Sequence, residues 1–155
     1  MGDVNNRDDM DSEDNWKQTL KHEGYRLTAP REIILEIMRT AEHALSPIEV
    51  YDLGRDGYPG LGLETVYRTL EKLAELGLIE RVHQPDGCHR YLRAAKGHQH
   101  MLVCSDCGRV TYFCGDDLKI LFERVSGETG YQIGDHWLQL FGTCPECKDQ
   151  SQNIT

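Results

Sequence analysis

Two pairs of cysteines constrain this chain more than any other feature of its sequence. Cys104 and Cys107 form one C-x-x-C pair, Cys144 and Cys147 form a second, and 36 residues separate the pairs. Two such pairs supply the four thiolates of a tetrahedral zinc site, which is structural because no coordination position stays open. Two disulfides would need an oxidising compartment, and a redox C-x-x-C pair would not need a second copy. The spacing therefore predicts a structural zinc ion that helps to stabilise the second half of the chain.

Length and composition indicate a globular chain with room for one domain or two small ones. Of its 155 residues, 39% are hydrophobic, and no apolar run approaches the roughly 20 residues that span a bilayer. The polar, acidic N-terminus lacks the basic start and the apolar stretch of a secretory signal. We therefore expect a cytoplasmic protein with no membrane partner.

The acidic charge balance argues at first against a nucleic-acid partner, because the chain carries a net charge of -9. The charge is unevenly distributed. Residues 1–16 hold six acids and one arginine, residues 17–93 hold eleven basic and twelve acidic residues, and residues 94–155 hold five basic and eight acidic residues. A DNA-binding face in the first half would have to come from the placement of its charges.

The first half has the pattern of a winged helix-turn-helix. Apolar residues at helical spacing predict four helices, at 16–24, 28–41, 46–57 and 63–77. Thr28 is expected to cap the second helix, and Ser46 with Glu49 forms a capping box for the third. Two β-prone pieces follow, 78–83 and 89–92, joined by a turn.

The second half predicts a small α+β unit with too little core to stand alone. Strands are expected at 101–103, 110–113, 131–133 and 137–141, with a helix at 118–125. The fold class of the whole chain is therefore α+β, with a winged helix-turn-helix domain first and a small α/β domain holding the four cysteines second.

Four segments resemble the ferric uptake regulator family in their order and spacing. They are 26–31 (RLTAPR), 64–70 (ETVYRTL), 98–108 (HQHMLVCSDCG) and the stretch from His136 to Cys147. The resemblance covers roughly residues 17–148. It implies a homodimer that binds double-stranded operator DNA and represses metal-homeostasis genes when a regulatory metal is bound.

With this resemblance the chain divides into five segments. They are a disordered acidic tail at 1–15, a winged-helix DNA-binding domain at 16–93, a hinge at 94–97, a dimerisation and metal-binding domain at 98–148, and a flexible tail at 149–155.

The resemblance also implies that the helix at 63–76 is the recognition helix in the major groove. The expected DNA contacts are Thr65, Tyr67, Arg68 and Thr69 on this helix, with Arg26 and Arg31 at the backbone or minor groove. The alternative for Tyr67 is an aromatic residue at the edge of the core.

The family's usual regulatory metal site, at the hinge between the domains, is not matched. Its two histidine positions hold Gln99 and Met101, and two of its acidic positions hold Leu92 and Tyr112. Of the usual ligands, only His43 remains. We therefore expect this sensing site to be absent or rebuilt.

Three histidines instead match the family's other metal site, in the dimerisation domain. They are His98, His100 and His136. The fourth position of that site, usually Glu, is Lys119, so a water, Glu123, Asp116 or Asp117 would have to complete the coordination shell. The alternative is that these are solvated histidines with no ligand role.

A second metal hypothesis uses the hairpin. His83, Cys88 and His89, joined by His98 or His100, would make a mixed nitrogen and sulfur site suited to zinc or nickel. Otherwise Cys88, like Cys114, is a small thiol without a ligand role.

These observations predict a metal-dependent DNA-binding transcription regulator that represses metal-homeostasis genes. Its regulatory ion is expected to be Fe²⁺ or Zn²⁺, with Mn²⁺ and Ni²⁺ also compatible. The alternative is a family member with structural zinc only, which binds DNA constitutively or under thiol control. We do not expect an enzyme, because the four-cysteine site is closed and no H-E-x-x-H pattern occurs.

Overall fold

The computed structural model describes the backbone of residues 9–115 and 118–152, and side chains within 15–115 and 118–150. The chain forms two compact units. The first runs to Val82 and includes His89–Ala94, and the second comprises His83–Cys88 and the chain from Ala95 onward. None of the described helices is both long enough and apolar enough to cross a membrane.

The first unit is built from four helices and a hairpin. The helices are α1 (Asp9–His22), α2 (Ala29–Thr40), α3 (Pro47–Gly57) and α4 (Leu63–Glu75), and the hairpin consists of β1 (Ile79–His83) and β2 (His89–Arg93). Leu45 adds an antiparallel bridge to Tyr91, with both N–H to O distances at 2.8 Å. This is the winged helix-turn-helix arrangement that the sequence predicts.

One apolar stripe on each helix forms the core of this unit. Fully buried side chains come from α1 to α4 and from β1, and they include Leu20, Ile34, Met38, Val50, Val66, Leu70, Leu73 and Ile79. Burying such an aliphatic side chain contributes about 1.5–3 kcal/mol. The stripe on α4 holds that helix against the core and leaves its other face to solvent.

Of the two predicted helix caps, one forms. The Ser46 hydroxyl accepts a hydrogen bond from the Glu49 N–H at 3.2 Å, and Glu49 accepts one from the Ser46 N–H at 2.7 Å. Thr28 occupies the N-cap position of α2, but its side chain makes no cap hydrogen bond. The N-cap position is as predicted but the side-chain bond does not form, and Pro30, second in the helix, removes one of the two N–H groups that could donate to Thr28.

The second unit contains a three-stranded sheet and two helices. Its elements are β3 (His100–Cys104), β4 (Val110–Phe113), α5 (Leu118–Thr129), β5 (Gln139–Gly142) and α6 (Pro145–Gln152). The strand order is β4-β3-β5, with β3 antiparallel to β4 and parallel to β5. The parallel pairing sets Cys104 opposite Gly142, two residues before Cys144.

The strand predicted at 131–133 does not form, and these residues follow α5 as an irregular segment. Alternation alone is insufficient because a strand needs a hydrogen-bonding partner. Among the described residues, β3 takes its partners from 110–113 and 139–142 instead. The last predicted strand accordingly begins at Gln139 rather than at residue 137.

Three boundaries differ from the sequence-based division. Helix α1 begins at Asp9, within the predicted acidic tail. Helix α6 continues to Gln152, within the predicted C-terminal tail. The hairpin tip belongs to the second unit, where the His83 N–H and C=O bond the Gln139 side-chain amide at 3.1 and 2.7 Å. The rest of the tails, 1–8 and 153–155, lies outside the described residues.

Candidate metal centres and nucleic-acid interface

The four cysteines of the two C-x-x-C pairs converge in the second unit. Cys104 ends β3, Cys107 lies in the turn that follows, Cys144 directly precedes α6, and Cys147 lies in the first turn of α6. Their sulfur atoms all lie within 4.8 Å of one another, and the Cys107 and Cys144 sulfurs are 3.8 Å apart. A tetrahedral zinc ion with Zn–S bonds of about 2.3 Å requires sulfurs roughly 3.8 Å apart. The cluster therefore fits a structural zinc ion.

Hydrogen bonds prepare this cluster for a cation. The pKa of Cys104 is lowered to about 6, chiefly because the Cys107 backbone N–H donates to its sulfur. The Cys144 N–H donates to the same sulfur at 3.3 Å. The pKa of Cys147 is raised, mainly by its hydrogen bond with the Cys144 thiol. A bound divalent cation would displace the protons of these thiols.

An ion pair links the two halves of the cysteine cluster. Arg109, just after the first C-x-x-C pair, contacts Glu146, which lies inside the second. The arginine holds the pKa of the Glu146 carboxyl below its usual range. Both side chains are exposed, so the pair contributes little to the stability of the fold.

Three histidines form a second cluster in the same unit. The ligand nitrogens of His98, His100 and His136 all lie within 4.8 Å of one another. The Nε2 atoms of His98 and His136 are 3.1 Å apart, and the three ring centroids are separated by 4.8 to 5.1 Å. Zinc bonds to imidazole of about 2.0–2.1 Å would set tetrahedral nitrogens roughly 3.3 Å apart. The residues present therefore fit a divalent cation.

His100 is the buried member of this histidine cluster. Its side chain is 3% exposed, and its Nε2 has no hydrogen-bond partner among the described residues. Burial is the main reason that the pKa of His100 is lowered, which keeps the ring in the neutral form that binds metals. A buried and unpaired ring nitrogen that faces two other histidines is the arrangement expected of a metal ligand.

Three neighbours of the histidine cluster were not singled out from the sequence. The Phe122 ring on α5 lies 4.6 Å from the His136 ring, and the Phe113 ring lies 5.5 Å from the His100 ring. A Cβ atom added to Gly115 would lie 2.5 Å from the His100 Cδ2. Glycine is therefore required for the His100 ring to occupy its place, and no sequence motif marks that contact.

The other proposed ligands do not join either cluster. Within the described residues, the sets of three or more potential ligands that converge are the four cysteines and the three histidines. Glu123 lies outside both and pairs with Lys119 at 3.8 Å, while Asp116 and Asp117 fall outside the described residues.

The ligands proposed around the hairpin do not converge on a metal site either. Neither converging set among the described residues includes His83, Cys88, His89 or His43. His83 instead packs edge-on against Trp137, with ring centroids 4.7 Å apart. Cys88 and Cys114 are exposed thiols.

The usual hinge positions offer poor ligands. Leu92 and Met101 are buried apolar side chains, Gln99 is exposed, and Tyr112 is half-buried. This set lacks the imidazoles and carboxylates that hold a divalent ion of the iron and manganese class.

The solvent face of α4 presents the residues expected to contact DNA. Tyr67 is 42% exposed and Arg68 is 72% exposed, with the Arg68 guanidinium paired to Glu64 at 2.6 Å. Tyr67 therefore lies outside the core, although Thr65 beside it is half-buried. Arg68 can exchange its exposed ion pair for a phosphate or a base edge at little cost.

Two further arginines expected to contact DNA lie just before α2 and in its first turn. Arg26 is exposed, and Arg31 stacks on the Tyr25 ring with its guanidinium carbon 4.3 Å from the ring centroid. Arg31 also donates to the Arg26 carbonyl at 2.7 Å. These contacts fix the direction of Arg31 and hold the segment before the helix in place.

Thr69 does not belong with the DNA contacts. Its side chain is fully buried, and its hydroxyl donates to the Thr65 carbonyl at 2.7 Å. Thr69 lies three residues after Val66 and one before Leu70, so it falls on the apolar stripe of α4. A threonine that satisfies its hydroxyl within its own helix can take this place in the core.

The chain matches one described family and several characterised proteins. The model of the ferric uptake regulator family matches residues 22–141. The ferric uptake regulation protein of Bacillus subtilis is 38% identical over 139 residues, which cover 86% of this chain and 93% of that protein. The ferric uptake regulator of Vibrio cholerae, a crystal structure, is 32% identical and covers 82% of this chain and 98% of its own, with a TM-score of 0.65.

A further solved structure shares the fold. A zinc uptake regulator in complex with zinc and DNA has a TM-score of 0.70 and 21% identity, covering 93% of this chain and 97% of its own.

Proposed function

We propose that this chain, which belongs to the ferric uptake regulator family, is a homodimeric repressor of metal-homeostasis genes. Members of this family are metal-responsive transcription regulators and not enzymes. The four cysteines hold structural zinc. The regulatory ion is held by three residues, His98, His100 and His136. The protein represses transcription by binding double-stranded operator DNA in the cytoplasm.

One observation carries the regulatory part of this proposal: three histidines converge while the usual hinge positions hold poor ligands. His100 contributes a buried ring nitrogen without a partner among the described residues. His98 is exposed and His136 is half-buried, so one side of the set remains open to solvent. A site open to solvent can gain and lose an ion as its concentration changes, as a sensor requires.

DNA binding rests on the first unit. Tyr67 and Arg68 on α4 contact bases or phosphates, and Arg26 and Arg31 contact the backbone or minor groove. The near-neutral charge of residues 17–93 is compatible with this role because Arg26 and Arg68 are exposed and Arg31 is half-buried, so binding depends on placed charges rather than on a general basic excess. A homodimer doubles the number of such contacts on a palindromic operator.

Dimerisation is supported by apolar side chains left exposed on the second unit. Leu102 and Leu140 pair across β3 and β5 and are both exposed, while their strand neighbour Val103 is buried on the opposite face. On α5, Ile120 and Leu121 are exposed as well. A second copy of the chain would cover such a surface, since isolated soluble domains rarely leave apolar clusters in water.

The experiment measures metal content per chain and operator binding together, before and after mild chelation. We expect one zinc that survives chelation and one removable ion whose return restores DNA binding. His136→Ala should remove the second ion and its effect on DNA while retaining the first. His22→Ala is the matched control, because that histidine is exposed on α1 and outside both clusters.

The opposite results define the alternative. If only the tightly held zinc is found and DNA binding ignores added metal, the regulatory site fails and the chain is a regulator with structural zinc alone. In that case Cys88→Ser and Cys114→Ser would test thiol control, because both thiols are exposed.

A further inference from the structure

The histidine cluster contains no carboxylate among the described residues. The nearest acid in sequence, Asp135, has its Oδ1 engaged by the His136 backbone N–H at 2.7 Å. On α5, the Glu123 carboxylate pairs with the Lys119 ammonium at 3.8 Å. The described ligands are therefore three neutral imidazoles, and they do not offset the charge of a bound ion.

The walls of the cluster are apolar on its inner side. Phe113 and Phe122 contact the rings of His100 and His136, and the Gly115 backbone closes against His100. His98 is the exposed member, so a water molecule can reach the fourth position from that side. Three fixed nitrogens and one water make a four-coordinate site.

Such a site distinguishes between classes of divalent ion. Imidazole suits borderline ions such as Zn²⁺ and Co²⁺, whereas Mn²⁺ favours carboxylate and other oxygen ligands. Zinc is satisfied by four ligands, but octahedral oxygen-liganded sites are typical of manganese. With three imidazoles as the described ligands, an ion that depends on charge neutralisation gains less affinity than one that bonds strongly to nitrogen.

We infer that the His98, His100 and His136 set selects zinc-class ions in four-coordinate geometry and discriminates against Mn²⁺. This inference rests on the proposed function of the same site and adds which ion it detects. The selectivity comes from the three imidazoles, so replacing one imidazole by a carboxylate should weaken it.

The test uses the full chain with its structural zinc in place. Dissociation constants for Zn²⁺, Co²⁺ and Mn²⁺ are measured by competition with a chelator of known affinity. The ratio of the Mn²⁺ to the Zn²⁺ constant is compared in the wild type and in His98→Asp. Gln132→Asp is the matched control, since it adds the same carboxylate at an exposed position of the same unit outside the cluster.

We expect the ratio to fall by about tenfold or more in His98→Asp and to stay within about twofold in Gln132→Asp. Co²⁺ bound to the wild type should show the strong visible bands of four-coordinate cobalt. An unchanged ratio in His98→Asp, or the weak bands of six-coordinate cobalt, would overturn the inference.

The regulatory site and its ion selectivity can be refuted separately. If no ion binds beyond the structural zinc, the proposed regulatory site itself is wrong. If an ion binds and controls DNA binding but Mn²⁺ competes with Zn²⁺ at similar affinity, only the selectivity is wrong.

Discussion

Gly115→Ala should weaken metal binding at the histidine cluster without adding or removing a ligand. The new Cβ would lie 2.5 Å from the His100 Cδ2, 2.8 Å from its Nε2 and 3.3 Å from the Leu118 Cδ1. Carbon atoms in contact stay about 3.5–4.0 Å apart, so the ring must retreat by roughly 1 Å. The His98 and Phe113 rings, with centroids 4.9 and 5.5 Å from that of His100, limit the space available to it.

The magnitude follows from the tolerance of metal bonds. Ligand distances in real sites vary by about 0.2 Å, so a displacement of roughly 1 Å removes His100 from the coordination sphere or tilts it. Disturbing the support of a metal ligand typically costs about 10–100-fold in affinity. The dissociation constant for Zn²⁺ at this site should therefore rise by a factor in that range.

Competition titrations with a chelator measure this change, and Gly127→Ala serves as the control. Gly127 lies on α5, and a Cβ there meets no atom within 4 Å. The absorption bands of cobalt bound to the four cysteines should be the same in both variants, which shows that the unit is folded. If Gly115→Ala binds zinc as tightly as the wild type does, His100 is not a metal ligand whose position depends on the glycine.

Three further changes test other parts of the structure. Ser46→Ala should lower the free energy of unfolding by about 1 kcal/mol, measured by urea titration, because it removes the cap of α3; an unchanged midpoint would contradict the cap. Arg68→Ala should weaken operator binding by about 1–3 kcal/mol, whereas Thr69→Val should leave it nearly unchanged because Thr69 is buried; equal losses in a DNA-binding titration would contradict this assignment. Removing the structural zinc with a strong chelator should expose the amides of β3, β4 and β5 to hydrogen exchange while those of α2, α3 and α4 stay protected by their own core; equal exchange in both units would show that the first depends on zinc.

The sequence predicted most of the first unit because its signals are local. The capping box at Ser46, the stripe on α4 and the turn between β1 and β2 each lie within a few residues, and each forms. Thr69 was predicted to contact DNA, but it lies on the apolar stripe of α4 and is buried. The predicted strand at 131–133 failed because strand formation depends on a partner, which alternation does not reveal.

The two metal clusters differ in how far local sequence predicts them. The paired C-x-x-C spacing itself implies four converging thiolates, and the structure confirms that they converge. His136 lies 38 residues after His98, and only the family resemblance linked the two. Glu123 was a reasonable ligand by sequence, but Lys119 one turn earlier on α5 pairs with it instead. Contacts such as that of Gly115 with His100 depend on tertiary packing and leave no pattern in the chain.

The assignment of sites to units constrains how metal can control DNA binding. The histidine cluster belongs to the second unit. The residues expected to contact DNA belong to the first unit, and they include Arg26, Arg31, Tyr67 and Arg68. Under the proposed function, the regulatory ion changes operator binding by its different affinity for two states of the protein. Linkage then requires that operator DNA tighten ion binding by the same factor by which the ion tightens DNA binding. This reciprocity holds whichever ion is bound, so a zinc affinity that is unchanged by saturating operator DNA would rule out coupling through this site.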